Sequence, residues 1–403
     1  MLAASGLPAA TAVATRLKPY LAELSRTTSE ALGLPAWVYH DPSVFAQERE
    51  QIFKRVWIGI GYESEVPRAG DVTTAEYAGW RFIMARGQDG QIRCFHNVCR
   101  HRGMPVVHGP ASGRKTISCP WHTWTYDLEG RLVRTPHLGG TNVHTCAGFD
   151  RDDLGLMPVR TDAWMGVVFI NIDGHAPPLA EYLRPTRDRV AAFDLRLLRE
   201  CDLSYEHYFE GNWKLALEGG VEDYHIPWVH HQLGPSGDFR GESSGDRWVA
   251  VTCRRTMNVA RGRFLDPNAG RPLPMFPHLP ESGLAEASII LATLPATWIA
   301  AVTDHVVMTL YIPQTPTRTR VRRRFHFIGD AATNELHAAT RKRVFDSWAL
   351  ITQQDAPIVA ETQKLLEQRD DMDIRSRFSP YWETAVHKFQ RIIAAKLTGA
   401  ELG

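Results

Sequence analysis

Cys99-Arg100-His101 and Cys119-Pro120-Trp121-His122 read C-x-H and C-x-x-H, so one pairing of a thiol with an imidazole occurs twice. Such a set can hold a tetrahedral zinc, or a [2Fe–2S] cluster in which two imidazoles replace two thiolates on one iron. A zinc finger groups its cysteines together and its histidines together. Here each half carries one of each, and the alternation favours the iron–sulfur cluster.

A second donor set begins in the stretch NWKLALEGGVEDYHIPWVHHQL, which starts at Asn212. Read as one helix, it puts Glu222 and His225 about 60° apart on one face and turns His225 and His230 roughly 140° away from each other. Pro227 cannot donate to the carbonyl of Asp223, so a break there swings His230 back toward His225. H-x₄-H with a proline is a weak motif alone. The stretch VFDSWALITQQDAPIVAETQKLLEQ adds a carboxylate, Asp355, at the end of an apolar face and before Pro357. Asp346 and Glu361 are the other carboxylates considered there, and the plain alternative for Asp355 is a helix-terminal cap. Two histidines and one carboxylate form a facial triad on Fe(II) that leaves three adjacent positions for dioxygen and substrate.

The segments CRHRGMPV and SCPWHTWTYDLEGRL resemble the Rieske ferredoxin signature. The resemblance implies that Cys99 and Cys119 hold the buried iron and His101 and His122 the outer one. Trp121 and Thr123 stand where that family more often has Tyr and Gly. Together the two sites resemble the oxygenase (alpha) component of Rieske non-haem iron oxygenases over almost the whole chain. The matching positions are Asn212-Trp213-Lys214, Glu218, Glu222, Tyr224-His225 and His230, then Gln354-Asp355, Ile358, Glu361 and Gln363. Gly219-Gly220 departs from the family, in which Asn usually follows Glu218.

That resemblance implies a [2Fe–2S] cluster, a mononuclear Fe(II) held by His225, His230 and Asp355, and a homotrimer. It also implies a reductase or ferredoxin component, through which alone NAD(P)H would act. Glu222 would bridge a subunit interface, accepting a ring N–H of His101 or His122 while touching His225. Glu at that position, the chain length and the NWK…YHIPWVH pattern favour monooxygenation of a quaternary ammonium compound of the betaine, choline or carnitine kind. The rival is hydroxylation or demethylation of an aromatic acid. A Rieske electron-transfer protein without oxygenase chemistry is the remote alternative.

The elements that must position these donors follow from periodicity. Residues 12–32 read as one or two amphipathic helices interrupted by Pro19, and Ser43 as the N-cap of a further helix that runs into a strand, VWIGIG. From Tyr62 to about Val168 short β-rich runs alternate with Gly and Pro, with hairpin turns at Asp89-Gly90 and Glu129-Gly130. The segments His96–Gly109 and Ser118–Thr125 are then the two cluster loops. Later strands with flanking helices fit a helix-grip domain, with Gly234–Asp246 as a polar, Gly-rich lid candidate. Arg318, Arg320, Arg322 and Arg324 alternate on one solvated strand face, while Val321, Arg323, Phe325 and Phe327 point inward. Tyr224, Trp228, Phe276, Trp298 and Trp348 are the aromatics considered for holding a trimethylammonium group.

The expected class is α+β: helices at 1–45 packing on the catalytic domain, an all-β Rieske domain at 46–172, and a helix-grip catalytic domain at 173–403. With 403 residues and a net charge of +1, the chain is long enough for several domains. That balance supplies no electrostatic case for nucleic acid or membrane, which leaves a small-molecule substrate and protein partners. Cys94, Cys146, Cys201 and Cys253 show no pairing pattern, which suggests a reducing compartment. MLAASGLPAATAVATRLKPY lacks a basic leader and is cut by Gly6 and Pro8, and no uncharged apolar run reaches spanning length, so a cytoplasmic protein is expected.

Overall fold

The computed structural model describes residues 7–233, 236–245, 248–255, 271–277, 279, 287–369, 372 and 375–401. The chain divides into two compact units, Lys54–Leu179 and Met1–Phe53 with Ala180–Gly403.

Short β-branched and aromatic runs between Gly-rich turns give the Lys54–Leu179 unit a regular structure that is nearly all strand. Its strands are β1 Trp57–Tyr62, β2 Val72–Tyr77, β3 Trp80–Arg86, β4 Ile92–His96, β5 Thr116–Ser118, β6 Thr125–Asp127, β7 Leu132–Arg134, β8 Pro158–Trp164 and β9 Val167–Asn171. They form a six-stranded sheet, ordered β1-β9-β8-β4-β3-β2, and a three-stranded sheet, β5-β6-β7. Both expected hairpins form: β3 pairs β4 around Gly90, and β6 pairs β7 around Gly130. Gly130 takes a φ of +91°, and a Cβ there would lie 2.4 Å from the Phe95 ring, so the turn requires glycine on two counts. An apolar cluster that includes Val72, Phe95, Ile117, Trp124 and Leu132 also contains Cys99 and Cys119.

In the other unit one antiparallel sheet carries the fold. Its strands are β10 Leu198–Phe209, β11 Ser236–Ser244, β12 Trp248–Arg255, β13 Ala287–Thr293, β14 Thr297–Ala301, β15 His305–Thr315 and β16 Arg318–Ile328, ordered β10-β16-β15-β14-β13-β12-β11. The helices used below are α1 Leu7–Leu17, α2 Pro42–Glu48, α3 Trp213–Glu218, α4 Ile226–Val229, α5 Ala338–Gln368 and α6 Thr384–Thr398. This is the expected α+β class: one unit is an antiparallel sheet with helices and the other is all-β.

Several local expectations change. Asp41, two residues earlier than Ser43, caps α2: its Oδ1 accepts from Ser43 N at 2.8 Å, with Pro42 in the first turn where no N–H is needed. The lid candidate is a strand over most of its length, because β11 satisfies its backbone against β12 from Ser236↔Arg255 to Ser244↔Trp248. Gly234, Pro235 and Asp246 lie outside the described residues. The arginine face of β16 is ion-paired: Arg318 meets Glu210, Arg320 and Arg322 meet Glu206, and Arg324 meets Glu200.

Buried polar contacts fasten the segments that carry the second donor set. Lys214 Nζ lies 2.5 Å from Glu48 Oε1, both side chains fully buried, and Trp213 Nε1 donates to Glu48 Oε2 at 2.9 Å. Asn212 caps α3 by accepting from Lys214 N at 3.0 Å. Gln363 of α5 accepts from Asn212 N at 2.9 Å and donates to Tyr39 O at 3.2 Å. The start of α3 is thereby hooked to the helix bearing Asp355.

Candidate metal centres and cavity

The first donor set lies on two tight loops. In the loop after β4, Asn97 Oδ1 accepts from Val106 N at 2.7 Å and Val107 N at 3.1 Å, and Cys99 N donates to Met104 O at 2.8 Å. In the loop before β6, Cys119 N donates to Trp124 O at 2.9 Å and Thr123 N to Cys119 O at 3.0 Å. Each cysteine is only 2% exposed and the two thiols are neighbours, whereas His101 is exposed and His122 half-buried. The two imidazoles meet edge to face with ring centroids 4.5 Å apart, and His101 stacks on Trp124 at 4.7 Å. Tyr126 Oη lies 3.3 Å from Cys99 Sγ and accepts from Arg100 N at 3.1 Å. Thiols in the apolar core and imidazoles at the rim are the donor arrangement that a mixed-ligand [2Fe–2S] cluster requires.

The remaining cysteines are placed elsewhere. Burial pushes the Cys94 thiol up to about 12 and the Cys201 thiol up to about 11, so neither is a thiolate near neutral pH.

The second donor set converges by a route other than a proline kink. α3 ends at Glu218, Gly219–Val221 make a 3₁₀ turn, and Glu222 is extended, with φ −146° and ψ 158°. Two successive glycines disfavour continued helix, so the chain breaks before Glu222. Pro227 sits in the first turn of α4, which it suits, and His225 and His230 flank that single turn as its N-cap and C-cap. Their ring centroids are 5.0 Å apart. Glu222 therefore shares no helical face with His225. Its carboxylate closes the α4 entry, accepting from the Tyr224 and His225 amides and from His225 Nδ1.

Asp355 is mid-helix, not a terminal cap, because α5 continues through Pro357 to Gln368. Its Oδ1 lies 3.0 Å from His230 Nε2 and 3.8 Å from His225 Nε2. One donor atom from each of the three residues falls within 4.8 Å of the others. Asp346 pairs instead with Lys342, and Glu361 with Lys364, both at the surface.

Hydrogen bonding fixes the tautomers. Glu222 can only accept, so His225 Nδ1 carries the proton. Gln354 Oε1 receives Gln232 Nε2 at 2.8 Å and lies 2.9 Å from His230 Nδ1, so that nitrogen is protonated as well. Both Nε2 atoms then present lone pairs toward the Asp355 carboxylate. Among the described residues no hydrogen bond satisfies the buried His230 Nε2. Three acceptors aimed at one point call for a cation, and the set fits a divalent metal. Burial pushes the His225 imidazolium down, but the carboxylates of Glu222, Asp355 and Asp223 outweigh it and hold its pKa above the usual value.

A cavity of about 290 Å³ opens at these three residues. Ile290, Trp298, Tyr311, Arg323, Trp348 and Ile351 contribute to its wall. Trp298 Nε1 donates to Gly220 O at 2.8 Å. A Cβ on Gly220 would lie 3.1 Å from that indole nitrogen and 3.2 Å from Tyr311 Oη, so the glycine admits both rings to the wall. Trp348 Nε1 donates to His305 Nε2 at 3.0 Å, and His305 Nδ1 lies 2.6 Å from Asp304 Oδ1. The aromatics considered from sequence divide accordingly: Trp298 and Trp348 face the cavity, Tyr224 stacks on Trp382, Trp228 is 79% exposed, and Phe276 packs on Phe193.

Sequence reasoning overlooked Glu218 as a cavity group. Burial pushes its carboxyl up to about 7, against the hydrogen bond from Tyr39 Oη at 2.8 Å, the Lys214 charge and Gln390. It also overlooked the Asp304–His305–Trp348 chain, whose members lie on β15, the turn before it and α5, with no local motif to join them.

A two-centre protein with a cluster unit and a sheet-and-helix unit is the class that these features define. Residues 56–145 match the Rieske [2Fe-2S] domain, and residues 192–399 match the ring hydroxylating alpha subunit (catalytic domain). The chain belongs to the ring hydroxylating alpha subunit family, whose cofactors are a [2Fe–2S] cluster and a mononuclear non-haem iron.

The chain is 32% identical over 209 residues to the carnitine monooxygenase oxygenase subunit of Escherichia coli K12, covering 50% of this chain and 53% of that one. It is 33% identical over 193 residues to the 2-aminobenzenesulfonate 2,3-dioxygenase subunit alpha of an Alcaligenes species, covering 47% of each. The chain thus spans about half the length of the curated relatives that it matches. A solved quaternary ammonium Rieske monooxygenase, described in connection with carnitine oxidation and inter-subunit electron transfer, shares the fold with a TM-score of 0.76. It is 21% identical, covering 94% of this chain and 98% of that one. Among the described residues no helix is long and apolar enough to cross a membrane.

Proposed function

We propose that the protein is a terminal oxygenase that oxidises a C–H bond of a small quaternary ammonium compound of the betaine, choline or carnitine type. Hydroxylation or N-demethylation would be the outcome, as a monooxygenase. The observation that carries this reading is the convergence of His225, His230 and Asp355 in the lining of a cavity that Trp298 and Trp348 also wall. Tryptophan faces attract a trimethylammonium group through their ring quadrupole.

In this reading His225, His230 and Asp355 hold Fe(II), and Cys99, His101, Cys119 and His122 hold the cluster. The cluster domain is residues 46–172, the iron domain 173–403, and residues 1–45 pack on the latter. When bound, the cluster supplies single electrons from an NAD(P)H-linked reductase or ferredoxin and the mononuclear iron activates dioxygen. The chain's own side chains orient and exclude. Glu222 and Gln354 hold the two imidazoles with Nε2 forward, and the apolar wall keeps bulk water from the reacting carbon.

Glu222 holds the Tyr224 and His225 amides with Oε2 and the His225 Nδ1–H with Oε1, whose remaining lone pair, in a homotrimer, accepts a ring N–H of His101 or His122 of the partner subunit. A cytoplasmic setting agrees with Cys94, Cys146 and Cys201, which form no disulfide and stand outside the proposed ligand set.

Oxygen uptake with a surrogate reductase, across a panel of quaternary ammonium compounds and a panel of aromatic acids, tests the reading. Uptake with formaldehyde or a hydroxylated methylammonium product is expected, with more than two irons per chain. Uptake with the aromatic acids alone would replace the proposed substrate class. No uptake at two irons per chain would favour a Rieske electron carrier.

A further inference from the structure

Arg323 is the sole lysine or arginine among the described residues that line the cavity, and it is 4% exposed. Its Nε donates to Thr309 Oγ1 at 3.1 Å, and its Nη1 to Trp348 O at 2.7 Å and Thr352 Oγ1. Every one of these acceptors is neutral. Among the described residues no carboxylate forms an ion pair with Arg323, although Arg318, Arg320, Arg322 and Arg324 on the same strand each have one on β10 or just beyond it. Lys214, the fully buried cation of the same unit, is likewise paired, with Glu48.

A guanidinium has five N–H donors, and the contacts above occupy those of Nε and Nη1. The Tyr311 hydroxyl accepts one more from the guanidinium, which leaves a single N–H donor over. The rings of Tyr205, Trp298 and Trp348 lie 5.6, 5.9 and 5.9 Å from the guanidinium carbon. Their faces attract the cation but do not neutralise it. A buried charge without a counter-ion is unfavourable unless something that enters the cavity supplies one.

We propose that Arg323 receives a carboxylate of the substrate at Nη2, so that the preferred substrates are N-methylated carboxylates and cationic alcohols such as choline are disfavoured. The proposal rests on the quaternary-ammonium reading above and narrows it. The Trp298 and Trp348 rings lie 5.9 Å from the guanidinium carbon and meet edge to face, so a carboxylate held at Arg323 sets the ammonium against their shared wall. Thr352, which holds the guanidinium, stands about one helical turn before Asp355.

The test is equilibrium binding to the purified full chain of trimethylglycine, its methyl ester and choline, followed by oxygen uptake with each. Binding of the acid at least about tenfold tighter than the ester is expected, the usual consequence of a hydrogen bond to a charged group. Arg323→Gln should reduce that preference to within about threefold and raise KM for the acid more than it lowers kcat. Equal binding of acid and ester by the unmodified protein overturns the proposal, and this comparison needs no variant to fold. Retention of the preference in a folded Arg323→Gln protein overturns it too. If no N-methylated compound binds, the substrate reading fails separately, and benzoate against methyl benzoate then decides whether Arg323 receives a carboxylate.

Discussion

Gln354 Oε1 sits 2.9 Å from His230 Nδ1, and by accepting there it decides that the other ring nitrogen of His230 faces Asp355. Gln232 Nε2 donates to the same oxygen at 2.8 Å and fixes the amide's orientation. The side chain adjacent to one proposed ligand thus orients another. Replacing Gln354 with Leu removes the acceptor without adding a competing ligand. Iron affinity should fall about 10–100-fold, the usual effect of losing such a partner. Iron retained after dialysis against a graded chelator series is the measurement, and retention equal to the unmodified protein would remove Gln354 from the site.

Glu218 gives the fold a pH dependence of defined sign. Its folded-state pKa is raised to about 7, chiefly by burial, so the folded chain keeps a proton that the unfolded chain has lost. Its contribution to stability is complete below the ordinary glutamate range and is lost as pH rises to about 7. Glu218→Gln keeps an acceptor for Tyr39 and carries no titrating proton. The drop in Tm between pH 5 and pH 8 should be smaller in the variant than in the unmodified protein. Superimposable profiles would assign the dependence to other groups.

Lys214 and Glu48 form a pair with no solvent contact, joining α3 to α2. Lys214→Met strands the Glu48 carboxylate and should lower unfolding free energy by about 3–5 kcal/mol. Adding Glu48→Gln, which still offers Trp213 Nε1 an acceptor, should restore part of that loss. Urea unfolding of the single and double variants measures both. A double variant no more stable than Lys214→Met would mean that the stranded charge is not the cause.

Thr123 adopts a φ of +56° in the loop between Cys119 and β6. Left-handed backbone is unfavourable for a residue branched at Cβ, which accounts for the preference for Gly noted at this position. Thr123→Gly should relieve strain worth on the order of 1 kcal/mol, partly offset by glycine's greater freedom in the unfolded chain. The readout is the thermal midpoint of bleaching of the visible cluster absorption, expected to rise. A lower midpoint would show that the Thr125 hydroxyl bond to Thr123 O depends on the native residue.

What was legible from sequence alone is what local chemistry dictates. The C-x-H and C-x-x-H pairings, the hairpin glycines at 90 and 130, the alternating burial along β16 and the helix carrying Asp355 all follow from residue type and period, which act within a few positions. Tertiary structure decided the rest, because the deciding partners are distant in sequence. His225 and His230 meet as the two caps of the single turn α4, which starts afresh because α3 ends before Gly219-Gly220, and at Gly220 the Trp298 and Tyr311 side chains from β14 and β15 crowd the space a Cβ would take. The polar stretch at 236–244 is a strand because β12 offers its backbone groups a ladder. Trp298 and Trp348 wall the cavity while Trp228 faces water, a division that hydrophobicity cannot express because all three are tryptophan. Arg323 is unlike its alternating neighbours only because β16 turns it inward, away from the carboxylates that neutralise the others.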